Sequence, residues 1–215
     1  MSIFGQLANN KGTVSSALGK ALAQKVLKEG RTYILYECIN LASYELTILT
    51  SKHIRAGAAK VIEIVAENRP ELVAPHLGKL LSALTAPEPQ TRWMIIRVMG
   101  FCAHLNKAVA QAALAYAEQY IEAKEGLILA SSADLFLGDF GALSKEAAQK
   151  VFPILEQSME RVYTNEQDWL LEAIFKVFVN LGRAEQEKVL KFAERWQNSS
   201  RKSTRQRARK ILRMK

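Results

Sequence analysis

Few residues in this chain are of types that do chemistry, and they are scattered. The three histidines, His53, His76 and His104, stand apart from one another. None has a Cys, His or Asp grouping at metal-ligand spacing. The two cysteines, Cys38 and Cys102, fall in separate apolar stretches and read as reduced core thiols. No HExxH, GxSxG, P-loop or paired CxxC occurs. Gly138-Asp139-Phe140-Gly141 lacks the strand and spacing of a nucleotide loop. The sequence therefore offers no catalytic residue, metal ligand or cofactor, and a non-enzymatic role is favoured. What it does concentrate is charge. Residues 195–215 hold nine Lys/Arg and no acid, while the rest balances 21 basic against 21 acidic residues, so the net +9 sits at the C-terminus. Clustered cations suit phosphate, which makes Arg201, Lys202, Arg205, Arg207, Arg209, Lys210 and Arg213 candidate nucleic-acid contacts. Acidic protein segments and anionic lipid are attracted by the same charge.

These residues need elements to position them, and the elements read as helices. In Glu71–Leu105, Leu72, Val73, Leu77, Leu80, Leu81 and Leu84 recur at helical spacing. Pro87-Glu88-Pro89 breaks that helix, since proline fixes φ and biases its predecessor. A second helix runs from Gln90 to about Leu105. Val73-Ala74-Pro75-His76-Leu77 has a counterpart 78 residues later in Val151-Phe152-Pro153-Ile154-Leu155. Met99-Gly100, Leu137-Gly138 and Leu181-Gly182 close successive second helices, their glycines 38 and 44 residues apart. A period near 40 with two helices per unit predicts an α-solenoid. Five pairs follow: 32–49 with 52–67, 71–84 with 90–105, 107–123 with 125–140, 144–162 with 165–181, and 184–196 with 200–213. Residues 1–13 read as a loosely held tail and 14–28 as a short helix, closed by Gly30, that caps the stack. Tyr33, Tyr36 and Tyr44 read as packing residues. In the last helix Thr204, Ala208, Ile211 and Leu212 share one face, which predicts a folded helix with its arginines exposed.

The chain resembles the HEAT-repeat family over roughly residues 31–215. The resemblance rests on Pro75 and Pro153 in first helices, on Ile54-Arg55, Thr91-Arg92 and Thr204-Arg205 early in second helices, and on the apolar-Gly closures. The third unit departs, with Ala113 and Ala130 in place of the proline and arginine. The resemblance implies an all-α, right-handed α-α superhelix whose second helices line a concave surface. Polar residues on that surface would meet a protein partner. Helical spacing groups His53, Lys60 and Glu67 on one second helix, and Gln90, Trp93, Arg97 and His104 on the next. Ser132 and Asp139 fall together on the third, and Asn165, Asp168 or Trp169, Glu172, Lys176 and Asn180 on the fourth. Arg55 and Arg92 are expected to reach an acid or a free carbonyl in the next unit. The alkylpurine DNA glycosylases built on HEAT-like repeats use tryptophans, an aspartate and an arginine. That family implies Trp93, Trp169, Asp168 and Arg97 as counterparts, with no catalytic role carried over.

At 215 residues one domain with a substantial core is the default, here a repeat domain (31–215) preceded by the tail and capping helix (1–30). No apolar run reaches the ~18 residues of a membrane span, and MSIFGQLANNKG lacks the form of a signal peptide. These features predict a cytoplasmic protein. The function they favour is a scaffold binding a protein partner, with nucleic-acid binding through the C-terminal helix as the alternative.

Overall fold

The computed structural model describes residues 2–9, 16–43, 51–123, 126–161 and 167–214. Tyr44, Asn165 and the expected helix starts at Val14 and Asn165 lie outside them. The chain divides into two compact units, Met1–Ala113 and Leu114–Lys215. Among the described residues, all regular structure is helical.

The first unit contains α1 (Ile3–Ala8), α2 (Ser16–Glu29), α3 (Thr32–Ser43), α4 (Ser51–Asn68), α5 (Pro70–Val73), the 3₁₀ helix η1 (Ala74–Thr85), α6 (Pro89–Phe101) and α7 (Lys107–Ala112). Residues 3–8 of the expected tail form a packed helix. Ser2 caps α1 by accepting the Gly5 N–H, and Ile3 and Leu7 are buried. Leu7 seats where α4 has Gly57, since a Cβ there would come 2.7 Å from Leu7 Cδ2. Gly30 ends α2 with φ +67°, a left-handed conformation that glycine adopts without penalty.

The largest departure from expectation is η1. The spacing predicts an α-helix over 71–84, but only Pro70–Val73 is α-helical and the following twelve residues form a 3₁₀ helix. Pro153 holds the matching position inside α10 and that helix stays α, so proline alone does not decide it. The buried Ala74, Leu77, Leu80 and Ala83 are spaced by three, as in a 3₁₀ turn. The equally buried Val73 and Leu84 complete a helical spacing of four, three and four with Leu77 and Leu80, so burial does not by itself decide the helix type. In α10 the buried Ala148, Val151, Leu155 and Ser158 are spaced by three, four and three, which fits 3.6 residues per turn.

The second unit contains α8 (Leu114–Glu122), α9 (Leu127–Gly141), α10 (Lys145–Glu160), α11 (Gln167–Val177), η2 (Phe178–Asn180), α12 (Arg183–Trp196) and α13 (Lys202–Leu212). The single helix expected over 107–123 is broken at Ala113, whose N–H bonds the Ala110 carbonyl three residues back. Ser144 starts α10 by accepting the Ala147 N–H at 3.2 Å. Helix α9 is buried along nearly its whole length because α8, α10 and α11 all pack on it. Asp134 is the charged residue at its centre. Its carboxylate accepts Ser158 Oγ at 2.6 Å and Arg161 Nη2 at 3.0 Å. Burial nevertheless pushes its pKa up to about 6. Sequence reasoning missed this site; an acid seven residues into an apolar helix was the available signal.

Both cysteines are free, buried core thiols as expected, and burial pushes each up to about 12.

Candidate functional site

In the first unit, α4 and α6 pack side by side and bring two predicted stripes together. Lys60 Nζ lies 5.6 Å from the Trp93 ring centroid and 2.7 Å from Glu63 Oε2. Burial raises the Glu63 pKa, opposed by its hydrogen bond to Lys60 and by the charges of Lys60 and Arg97. Arg97 lies 4.5 Å above the Phe101 ring. The result is a half-buried patch in which an indole is flanked by fixed charges of both signs. Trp93 itself is half-buried, with the Lys60 ammonium near its ring. His53 is half-buried; Gln90, Glu67 and His104 are exposed on the same two helices or just beyond α6.

Beneath this patch Arg55 behaves as the repeat spacing predicts. Its Nε and Nη2 make a paired bridge to Glu88 Oε1 and Oε2, both at 2.9 Å, and Thr91 Oγ1 donates to the same carboxylate at 2.5 Å. Glu88 sits just before α6, in the next repeat. The bond raises the Arg55 pKa and locks α4 to the start of α6.

In the second unit the predicted stripe is largely internal. Lys176 Nζ bonds Asp139 Oδ1 at 2.5 Å, joining α11 to α9. Asn180 donates to the Ala142 carbonyl at 3.0 Å. Ser132 is fully buried. Asp168, expected on an exposed face, is only 6% exposed because α13 covers it. Arg207 donates to Asp168 Oδ2 at 3.2 Å and to Glu172 Oε2 at 3.0 Å, while Arg201 lies 3.8 Å from Asp168 Oδ1. Trp169 remains half-buried.

Helix α13 folds as its pattern predicts, with Thr204, Ala208 and Ile211 buried. Its arginines are not all on the exposed face. Arg207 is engaged as described, and Arg205 Nη1 donates to the Ser199 carbonyl at 2.6 Å. Arg209 Nε donates to the Gln197 carbonyl at 3.1 Å, and Lys210 Nζ lies 3.8 Å over the Phe175 ring. Arg205 and Arg207 are half-buried, whereas Arg201, Lys202, Arg209, Lys210 and Arg213 are exposed. Of the glycosylase counterparts, Trp93 and Arg97 belong to the first unit, and Asp168 and Trp169 to the second. Asp168 is occupied by Arg207.

Among the described residues no group of three or more His, Cys, Asp or Glu is placed to hold a metal. No helix there is long and apolar enough to cross a membrane.

The arrangement defines a helical-repeat protein, in which neighbouring repeats are tied by contacts between residues some 33 to 39 positions apart, from Arg55–Glu88 to Arg207–Asp168. Comparison with solved structures places it further. The chain is similar to a designed armadillo repeat protein, with TM-score 0.65 and 15% identity over 98% of this chain and 97% of that one. A crystal structure described as computationally designed armadillo repeat proteins for modular peptide recognition matches with TM-score 0.60 and 15% identity, over 98% and 97%. An engineered protein matches with TM-score 0.61 and 12% identity, over 99% and 96%. At such identities the likeness is one of fold: an all-α repeat solenoid of armadillo type. No protein-family model and no curated protein sequence matches the chain.

Proposed function

We propose that this chain is a non-catalytic, HEAT-like repeat scaffold that binds a protein partner through the face formed by its second helices. The observation that carries the reading is the α4–α6 patch, where Trp93 is half-buried with Lys60 near its ring and Lys60 is in turn paired with Glu63. A stack of helices presents such a patch preformed, which lowers the ordering cost of association. The similar designed armadillo proteins described as made for peptide recognition support the same use of the fold. A cytoplasmic location and the division into a capping segment (1–30) and a repeat domain (31–215) complete the reading.

The test is cross-linking and affinity capture with the intact chain and with Trp93→Ala, the folded state of each checked by circular dichroism. Trp93→Ala is expected to lose the captured partner, with a binding loss of about 2 kcal/mol or more, while remaining folded. Unchanged capture would overturn the reading. The competing reading, DNA or RNA binding through α13, is decided by fluorescence anisotropy of labelled oligonucleotides over a range of salt. Binding at physiological salt that falls steeply with salt concentration, and that is lost when Arg201, Lys202, Arg209, Lys210 and Arg213 are neutralised, would establish it. Its engaged arginines weigh against it, since Arg207 already faces two carboxylates.

A further inference from the structure

The first helices of the first two repeats enclose a groove that the second-helix reading leaves unused. One wall is α3, where Tyr36, Asn40 and Ser43 fall on one helical face. The other wall is η1. In a 3₁₀ helix residues three apart eclipse one another, so His76, Lys79 and Ser82 stand in a single column. In an α-helix the same residues would drift about 60° per step and leave the groove. The two walls meet in register. The Tyr36 and His76 rings are edge to face with centroids 5.1 Å apart, and Ser82 Oγ lies 3.3 Å from the Ser43 carbonyl. Between them is a cavity of about 240 Å³ lined by Tyr36, Ile39, Asn40, His76 and Lys79.

The lining is chemically one-sided. Ile39 is an apolar floor, Tyr36 and His76 are an aromatic wall, and Lys79 and Asn40 are exposed donors at the rim. No acid lines the cavity, and η1 has none in its sequence. The acid of α3, Glu37, is engaged with α1, where its carboxylate accepts the Phe4 N–H at 3.2 Å. A benzene ring fits in roughly 150 Å³, so this cavity has room for a ring and one charged substituent. We infer that the α3–η1 groove binds a small aromatic anion, a carboxylate or phosphate carried on a single ring, with the ring against Tyr36 and His76 and the anion at Lys79.

Isothermal titration of the full chain with phenyl phosphate, benzoate, inorganic phosphate and phenol tests this. Saturable binding of phenyl phosphate or benzoate is expected, weakened about tenfold or more in Lys79→Gln and in Tyr36→Leu. The exposed Lys191→Gln is the control and should bind as the parent does. Whichever aromatic anion binds more tightly identifies the charged group the site takes. Absence of saturable binding by both aromatic anions would overturn the proposal. So would unchanged affinity in Lys79→Gln, or inorganic phosphate binding as tightly as phenyl phosphate. Lys79 and Tyr36 are both exposed, so neither substitution threatens the fold.

Discussion

Gly138→Ala tests how closely α9 and α11 pack. A Cβ at Gly138 would lie 2.6 Å from Ala173 Cα and 2.9 Å from both its Cβ and its carbonyl oxygen. Ordinary contact begins at 3.4 Å. The obstacle is backbone, so it cannot be relieved by turning a side chain. The helices must separate by about 0.8 Å, and α9 is held on its other sides by α8 and α10. Overpacking of this kind costs about 1–3 kcal/mol, and more where backbone must move. Replacing a mid-helix glycine returns roughly 0.5–1 kcal/mol. The net expectation is a loss of about 2 kcal/mol, or a fall in Tm of about 10 °C for a unit of this size. Urea unfolding followed by far-ultraviolet circular dichroism measures it. Gly78→Ala is the control, because the added Cβ meets only Val109 Cγ2 at 3.9 Å. A Gly138→Ala protein as stable as the parent would refute the close approach of the two helices.

Two further substitutions address the buried charges. Asp134 has a folded-state pKa of about 6, above its ordinary 3.8, so the native chain binds the proton more tightly than the unfolded one. Its contribution to stability is therefore most favourable below about pH 4 and declines as pH rises through 6. The stability of the parent minus that of Asp134→Asn should fall by about 3 kcal/mol across this window and then level off; a difference flat in pH would contradict it. Arg207→Ala leaves Asp168 buried with, among the described residues, only Arg201 at 3.8 Å, and should cost about 1–3 kcal/mol by urea unfolding. Combining it with Asp168→Asn should recover part of that loss, whereas fully additive losses would show that the pair is not coupled.

The repeat architecture was legible because it rests on apolar spacing and on a period near 40, both of which survive in a single sequence. Arg55 was legible as an inter-repeat bond for the same reason. The 3₁₀ form of η1 was not read, because Leu72, Val73, Leu77, Leu81 and Leu84 also satisfy a helical template. The buried Ala74, Leu77, Leu80 and Ala83 have the 3₁₀ period, but the buried Val73, Leu77, Leu80 and Leu84 have the α-helical one, so apolar spacing does not separate the two. The helix bounds at Ala113 and at α1 escaped notice because they depend on which neighbour covers each segment. Asp168 was misplaced for a related reason: the spacing puts it on a face with Glu172 and Lys176, and burial comes from α13, which lies 34 residues further on.

The charge of the last helix shows why net charge alone is a poor guide to partners. Eight basic residues lie in 201–215, yet their head groups have different fates. Arg207 is neutralised by two carboxylates, so it has little charge left to offer a phosphate. Arg205 and Arg209 donate to carbonyls, which fixes their geometry while leaving their charge intact. Arg201, Lys202 and Arg213 are exposed at the two ends of α13. Phosphate affinity at this helix would thus come from its exposed cations, Arg201, Lys202, Arg209, Lys210 and Arg213, and the salt slope would count those residues rather than the full cluster. Trp93 belongs to the other unit. Its substitution and the neutralisation of α13 therefore perturb separate bodies, and loss of binding in one variant cannot be mistaken for the effect of the other.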